Sequence, residues 1–172
     1  VQLDQINQMA AQINIVIKDM ELFHVDVDAT FEELLHQIGE RLSPYSDRSQ
    51  IIQEDLMRRE QVSSQVFAEF GFALLHTRTK GVTRPVFAVC MPEGNVAFED
   101  PYFKQITVAF VMLVPDDELV KINNDIMGHI SGMLIEEPEF MEAAEQGDKE
   151  QIRTLLSKHL KQYFRKYLSG LS

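Results

Sequence analysis

The chain has a single cysteine, Cys90, no tryptophan, and only 16 basic residues against 27 acidic ones. A lone cysteine excludes an internal disulfide and any metal site built from several thiolates, and it fits a reducing compartment such as the cytoplasm. The net charge of −11 works against gripping a phosphate backbone, so no direct contact with nucleic acid is expected of this segment. No apolar run approaches the roughly 20 residues of a membrane-spanning helix, so no membrane contact is expected. The sequence opens on Val1 without a signal-peptide pattern, which fits a segment cut from a longer protein and equally the removal of a tag. Also missing are a GxSxG elbow, a glycine-rich phosphate loop, a kinase signature, an HExxH or HxxxH pair, internal repeats and low-complexity stretches.

What remains is ordinary globular material: 172 residues, 45% hydrophobic and 25% charged. That length suits one domain, or one domain with a helical arm. Leu3, Ile6, Met9, Ile13, Ile17 and Met20 recur at helical spacing, so residues 1–20 are expected to form a helix or linker arm, with the main domain at 21–172. Leu22 to Val27 alternates like a strand. Asp28 or Thr30 then caps a helix with Phe31, Leu34, Leu35, Ile38 and Leu42 on one face, ended by Ser43-Pro44. Asp47 or Ser49 starts the next helix, which runs into Arg58-Arg59-Glu60.

From Val66 the texture changes to strand-like runs at Val66-Phe67, Phe72 to Leu75, Pro85 to Cys90 and Ile106 to Val114. The last two are nearly continuous in apolar residues, as strands covered on both faces are. Helices are expected at Asp117–Ile135, Glu137–Ala144 and Lys149–Leu168. This order predicts an α/β fold, an α/β/α sandwich whose mixed β-sheet is flanked by helices.

Five histidines are candidates for chemistry: His24, His36, His76, His129 and His159. His36 and His159 sit among polar helical neighbours, and His129 reads as a helix-boundary residue. Cys90 lies inside an apolar strand, where a thiol usually behaves as a small hydrophobe. His76 follows Phe72-Ala73-Leu74-Leu75 and precedes the polar Thr77-Arg78-Thr79-Lys80-Gly81. A histidine where a strand enters a polar turn is held by a rigid element while its ring stays reachable. That placement suits a nucleophilic imidazole, although it equally describes a plain strand-end histidine.

The stretch from Arg59-Glu60 through Ser63-Ser64, Val66-Phe67 and Phe72-Ala73-Leu74-Leu75-His76 resembles the signature of mannitol/fructose-type (type 2) EIIA domains of the bacterial phosphotransferase system. Pro85 to Cys90, the Met91-Pro92-Glu93-Gly94 turn, the Phe98 region and Glu136 to Met141 add to the likeness, which covers about residues 20 to 168. The resemblance implies that His76 accepts a phosphoryl group from the carrier HPr. It implies Arg59 as the neighbouring arginine, with Arg58 as a competitor, and Ser64 and Thr77 at the phosphate. A guanidinium fork suits the charge spread over the equatorial oxygens of a transferring phosphoryl group. Neither a metal nor a cofactor is implied.

The departures shape the functional expectation. Leu75 replaces the family's proline, Thr77 its small residue, and one extra residue lies near Phe70 or Gly71. The family's second histidine has no match: alignment from the helix side puts Asn123 there, and from the strand side Leu119. Such altered domains resemble the C-terminal EIIA-like domains of BglG-like, mannitol-operon-type transcriptional regulators, in which phosphate is a signal. The expectation is therefore a phosphoryl-accepting regulatory domain, rather than a turnover enzyme, that meets HPr, an EIIB or EIIB-like domain and other domains of a parent regulator. The alternative is a phosphocarrier that relays phosphate from HPr to EIIB during sugar uptake.

Overall fold

The computed structural model describes residues 2–26, 30–43, 46–67, 70–93 and 106–170. Along these the chain runs α1 (Gln2–Asp19), β1 (Glu21–Asp26), α2 (Phe31–Leu42), α3 (Ser46–Val62), β2 (Val66–Phe67) and β3 (Phe72–Thr79). It continues through β4 (Val86–Glu93), β5 (Val108–Pro115), α4 (Val120–Glu136), α5 (Pro138–Glu145) and α6 (Lys149–Gly170). The strands form one sheet in the order β1-β4-β5-β3-β2. β1 is parallel to β4 and β3 to β5, while β4–β5 and β2–β3 are antiparallel, so the sheet is mixed as expected.

Strand alternation sorts the apolar residues into two cores. Phe72 and Leu74 of β3, Phe87 and Val89 of β4, and Val108, Phe110, Met112 and Val114 of β5 face α1, α4, α5 and α6. Ala73, Leu75, Ala88, Cys90, Ala109, Val111 and Leu113 face α2 and α3 on the other side. The first face carries the bulk, with Phe87 stacked on Phe110 at 6.4 Å and Phe140 of α5 edge-on to Phe87 at 6.1 Å. All eight residues of β5 are buried, which explains why its sequence reads as an unbroken apolar run.

Local signals set the element ends. Thr30 caps α2, its hydroxyl accepting from the Glu33 amide at 3.1 Å. The rival cap Asp28, like Pro44, Gly94 and the Phe98 region, lies outside the described residues. Pro138 sits in the first turn of α5, where its missing N–H is no loss. Gly39 of α2 lets the helix pair close up, because a Cβ there would stand 2.5 Å from the Ser49 carbonyl oxygen of α3. α1 buries Met9, Ile13 and Val16 in the core shared with α4 and α6, and Met20, at the boundary drawn between arm and domain, is buried too.

Two expectations are corrected. β3 does not stop at Leu75 but runs to Thr79, because β5 offers it a parallel partner as far as Pro115. His76 therefore sits within the strand, opposite Met112, rather than at its end. Met91, Pro92 and Glu93 form no turn; they extend β4 along β1, with Pro92 opposite Val25. Pairing of β4 with β5 ends at Cys90 and Ala109, so among the described residues the proline lies where β4 has a strand neighbour on one side only.

Candidate functional site

By alternation His76 shares the sheet face of Phe72 and Leu74, the face covered by α4. Between the strand and that helix lies a cleft of about 330 Å³, lined by Arg59, His76, Thr77, Arg78, Met112 and Val114 and by Asn124, Met127, Gly128 and Ser131 of α4. Arg59 reaches it from the last turn of α3, its guanidinium donating to the Ser63 carbonyl at 3.1 Å. Arg58 turns elsewhere: it pairs with Asp55 at 2.6 Å and does not line the cleft. Arg78 adds a second cation, with its Nε 3.6 Å from Asp116.

The His76 ring is oriented from behind. Its Nδ1 lies 3.2 Å from the Leu74 carbonyl oxygen. A carbonyl only accepts, so Nδ1 carries the proton and Nε2 keeps the lone pair of the neutral ring. Burial pushes the imidazole pKa below its ordinary value, the Leu74 carbonyl pulls back towards it, and the Arg59 guanidinium pushes further down. The ring is therefore neutral near pH 7, which is the form that can attack an electrophile.

The other expected site residues are not all brought together. Ser64 lies exposed in the turn between α3 and β2, its Oγ accepting from the Val66 amide at 3.3 Å, and it does not line the cleft. Thr77 borders the cleft, but alternation places its side chain on the opposite face from His76, and its hydroxyl donates to the Arg78 carbonyl at 3.0 Å. Asn123 is fully buried and donates from Nδ2 to Gln12 of α1 at 3.1 Å. Leu119 caps α4 and is likewise not at the cleft. From α4 the cleft is lined by Asn124, Met127, Gly128 and Ser131, and Asn124 is one position beyond Asn123. Gln65 also escaped the sequence reading, although it is 4% exposed and holds the His76 amide at 2.7 Å. An uncharged, solitary glutamine gives no signal in a sequence until the strand register is known.

The remaining candidates are structural. Cys90 is buried and its thiol is pushed up to about 12 by burial, so it is no nucleophile. His129 stacks on Tyr163 at 4.7 Å, and His36 bridges Glu40 and Gln53 of neighbouring helices. Among the described residues no cluster of histidine, cysteine and carboxylate could hold a metal, and no helix is long and apolar enough to cross a membrane. A larger cleft of about 500 Å³ holds Lys18, Arg48, Arg84, Lys149 and Arg153 but neither a histidine nor a cysteine.

A mixed sheet lies between helical layers, and a neutral histidine and an arginine share one cleft of this α/β domain. Its fold is shared with the crystal structure of nitrogen regulatory protein IIA-Ntr from Neisseria meningitidis, at a TM-score of 0.62 and 21% identity, covering 81% of this chain and 97% of that one. Residues 17–159 match the family described as phosphoenolpyruvate-dependent sugar phosphotransferase system, EIIA 2, and the chain belongs to that family. No curated protein matches it.

Proposed function

We propose that this chain is a phosphoryl-accepting regulatory domain, with His76 taking the phosphoryl group of HPr on Nε2 and Arg59 balancing the charge of the transferring oxygens. The observation that carries the reading is the ring's arrangement: Nδ1 committed to the Leu74 carbonyl, beside a guanidinium that shares the cleft. Transfer through a loose transition state asks the protein mainly for position and positive charge, and this cleft supplies both.

A signalling role is favoured over onward relay by the residue across the cleft. Asn124 lines the cleft from α4, and an amide cannot accept a phosphoryl group as an imidazole can. The name of the similar Neisseria protein, a nitrogen regulatory protein, points the same way. On this reading the phosphoryl group, adding about 1.5–2 negative charges, biases contacts with neighbouring domains of a sugar-responsive transcription regulator. DNA contact then lies elsewhere in that regulator, since this segment carries a charge of −11. The family description itself supports a second reading, a phosphocarrier that hands the group to an EIIB partner.

Incubation with phosphoenolpyruvate, enzyme I and HPr should add one acid-labile phosphate, read by intact mass. His76→Ala should abolish it and Arg59→Ala should slow it while the fold survives. Unmodified wild-type protein under those conditions would sink the proposal. Onward transfer to an added EIIB would favour the phosphocarrier.

A further inference from the structure

The turn between α3 and β3 contains a broken ladder. In the antiparallel β2–β3 pair, Val66 opposes Ala73, so the next pair outward is Gln65 and Leu74. The Leu74 amide donates to the Gln65 carbonyl at 2.9 Å, which makes this a hydrogen-bonded pair. Such a pair normally exchanges two bonds, the second running from the Gln65 N–H to the Leu74 carbonyl. Here that N–H donates instead to the Glu60 carboxylate, at 2.9 Å, and the Gln65 side-chain amide adds a longer bond to the same oxygen at 3.3 Å. The Leu74 carbonyl, left without its ladder donor, is the one that receives His76 Nδ1.

We infer that Glu60, by drawing the Gln65 N–H out of the sheet, decides which nitrogen of His76 is the nucleophile. Glu60 is a positioning residue: it touches neither ring nor phosphate. It empties the Leu74 carbonyl, that carbonyl fixes the proton on Nδ1, and Nε2 is left bare. The Gln65 side chain completes the arrangement by accepting from the His76 amide, so both amides flanking the Leu74–Leu75 peptide are held by one residue.

The catalytic part of this inference rests on His76 being the phosphoacceptor. In that step the Nε2 lone pair forms the new N–P bond. The N–P bond to the donor histidine breaks, and its electron pair returns to a donor ring protonated on its other nitrogen, which leaves as neutral imidazole. The Nδ1 proton stays on His76, and the Leu74 carbonyl dipole stabilises the positive charge that grows on the ring. With the opposite tautomer, Nε2 would carry a proton and have no lone pair to give.

The test is nitrogen NMR of the His76 ring in 15N-histidine-labelled protein, at a pH where the ring is neutral. Wild type should show Nδ1 protonated and Nε2 bare. Glu60→Leu frees the Gln65 N–H to close on the Leu74 carbonyl, and the majority form should become Nε2–H. Glu60→Gln keeps an acceptor oxygen and should preserve the wild-type pattern. Phosphorylation by HPr should slow roughly 10- to 100-fold in Glu60→Leu, the range known when the groups that orient a metal-bound imidazole are removed, and recover in Glu60→Gln. If Glu60→Leu does not fold, Glu60→Ala takes its place. A wild-type ring protonated on Nε2, or an unchanged tautomer once the carboxylate is gone, overturns the inference. A ring that responds as expected in a protein that never accepts phosphate would refute the phosphoacceptor reading and leave the role of Glu60 standing.

Discussion

His76 has an environment that pulls its protonation in one direction. Burial and the Arg59 guanidinium both favour the neutral ring and outweigh the Leu74 carbonyl, so the folded-state pKa lies below the ordinary 6.5. The unfolded chain therefore binds more protons than the folded one between those two values, and stability rises with pH across that window. The contribution of His76 is fully present above pH 6.5 and is lost as the pH falls through the folded value. A fixed-neutral His76→Gln variant should flatten that part of a chemical-denaturation profile, while the acid limb of wild-type phosphorylation should lie below pH 6.5. An acid limb that already sets in above pH 6.5 would show a ring that binds protons more readily than this environment allows.

Two helices make opposite predictions for the same substitution. In α2, a methyl at Gly39 would meet a backbone carbonyl of α3 that cannot swing aside. Gly39→Ala should therefore cost about 1–3 kcal/mol in chemical denaturation as α2 and α3 are pushed apart. In α4, a methyl at Gly132 meets nothing within 4 Å, so Gly132→Ala should raise stability by about 0.5–1 kcal/mol through helix propensity alone. At this scale the sequence was informative where one residue's chemistry decides the outcome, as at Thr30. It misled where a neighbour decides: the polar Thr77-Arg78-Thr79 read as a turn, and only the length of β5 makes those residues a strand. The same dependence on partners hid the Glu60–Gln65 contact and put Asn124, rather than Asn123, at the cleft.

For the molecule as a whole, the first helix packs into the larger core and is expected to fold with it. The family match begins at residue 17, yet α1 buries Met9, Ile13 and Val16 against the sheet and neighbouring helices. Burying each such side chain is worth about 1.5–3 kcal/mol. Together they rival the roughly 5–15 kcal/mol that holds a typical domain folded. Deleting residues 2–16 should lower the thermal midpoint sharply or leave the protein aggregated; a midpoint unchanged by the deletion would mean that α1 is an appendage. The layered α/β architecture was legible because two periods, 2 for strands and 3.6 for helices, are written in apolar residues. Arg59 and His76 were legible through their motif and do meet at one cleft. Ser64 is exposed beside the Arg59–Ser63 contact and does not line the cleft, which the motif alone could not tell.

The brevity of β2 has a consequence for how this protein stays apart from its own copies. A strand of two residues covers only the start of β3, so the edge from His76 to Thr79 has no neighbouring strand among the described residues. A bare edge is a template for intermolecular pairing, and proteins commonly blunt it with charge. Here Arg78 lies on that edge and Lys80 just beyond it, both exposed. Arg78 also lines the His76 cleft. The positive charge that discourages another strand from docking is thus partly the charge that a phosphoryl group would meet, and neutralising it for better phosphate selectivity would remove a guard against aggregation.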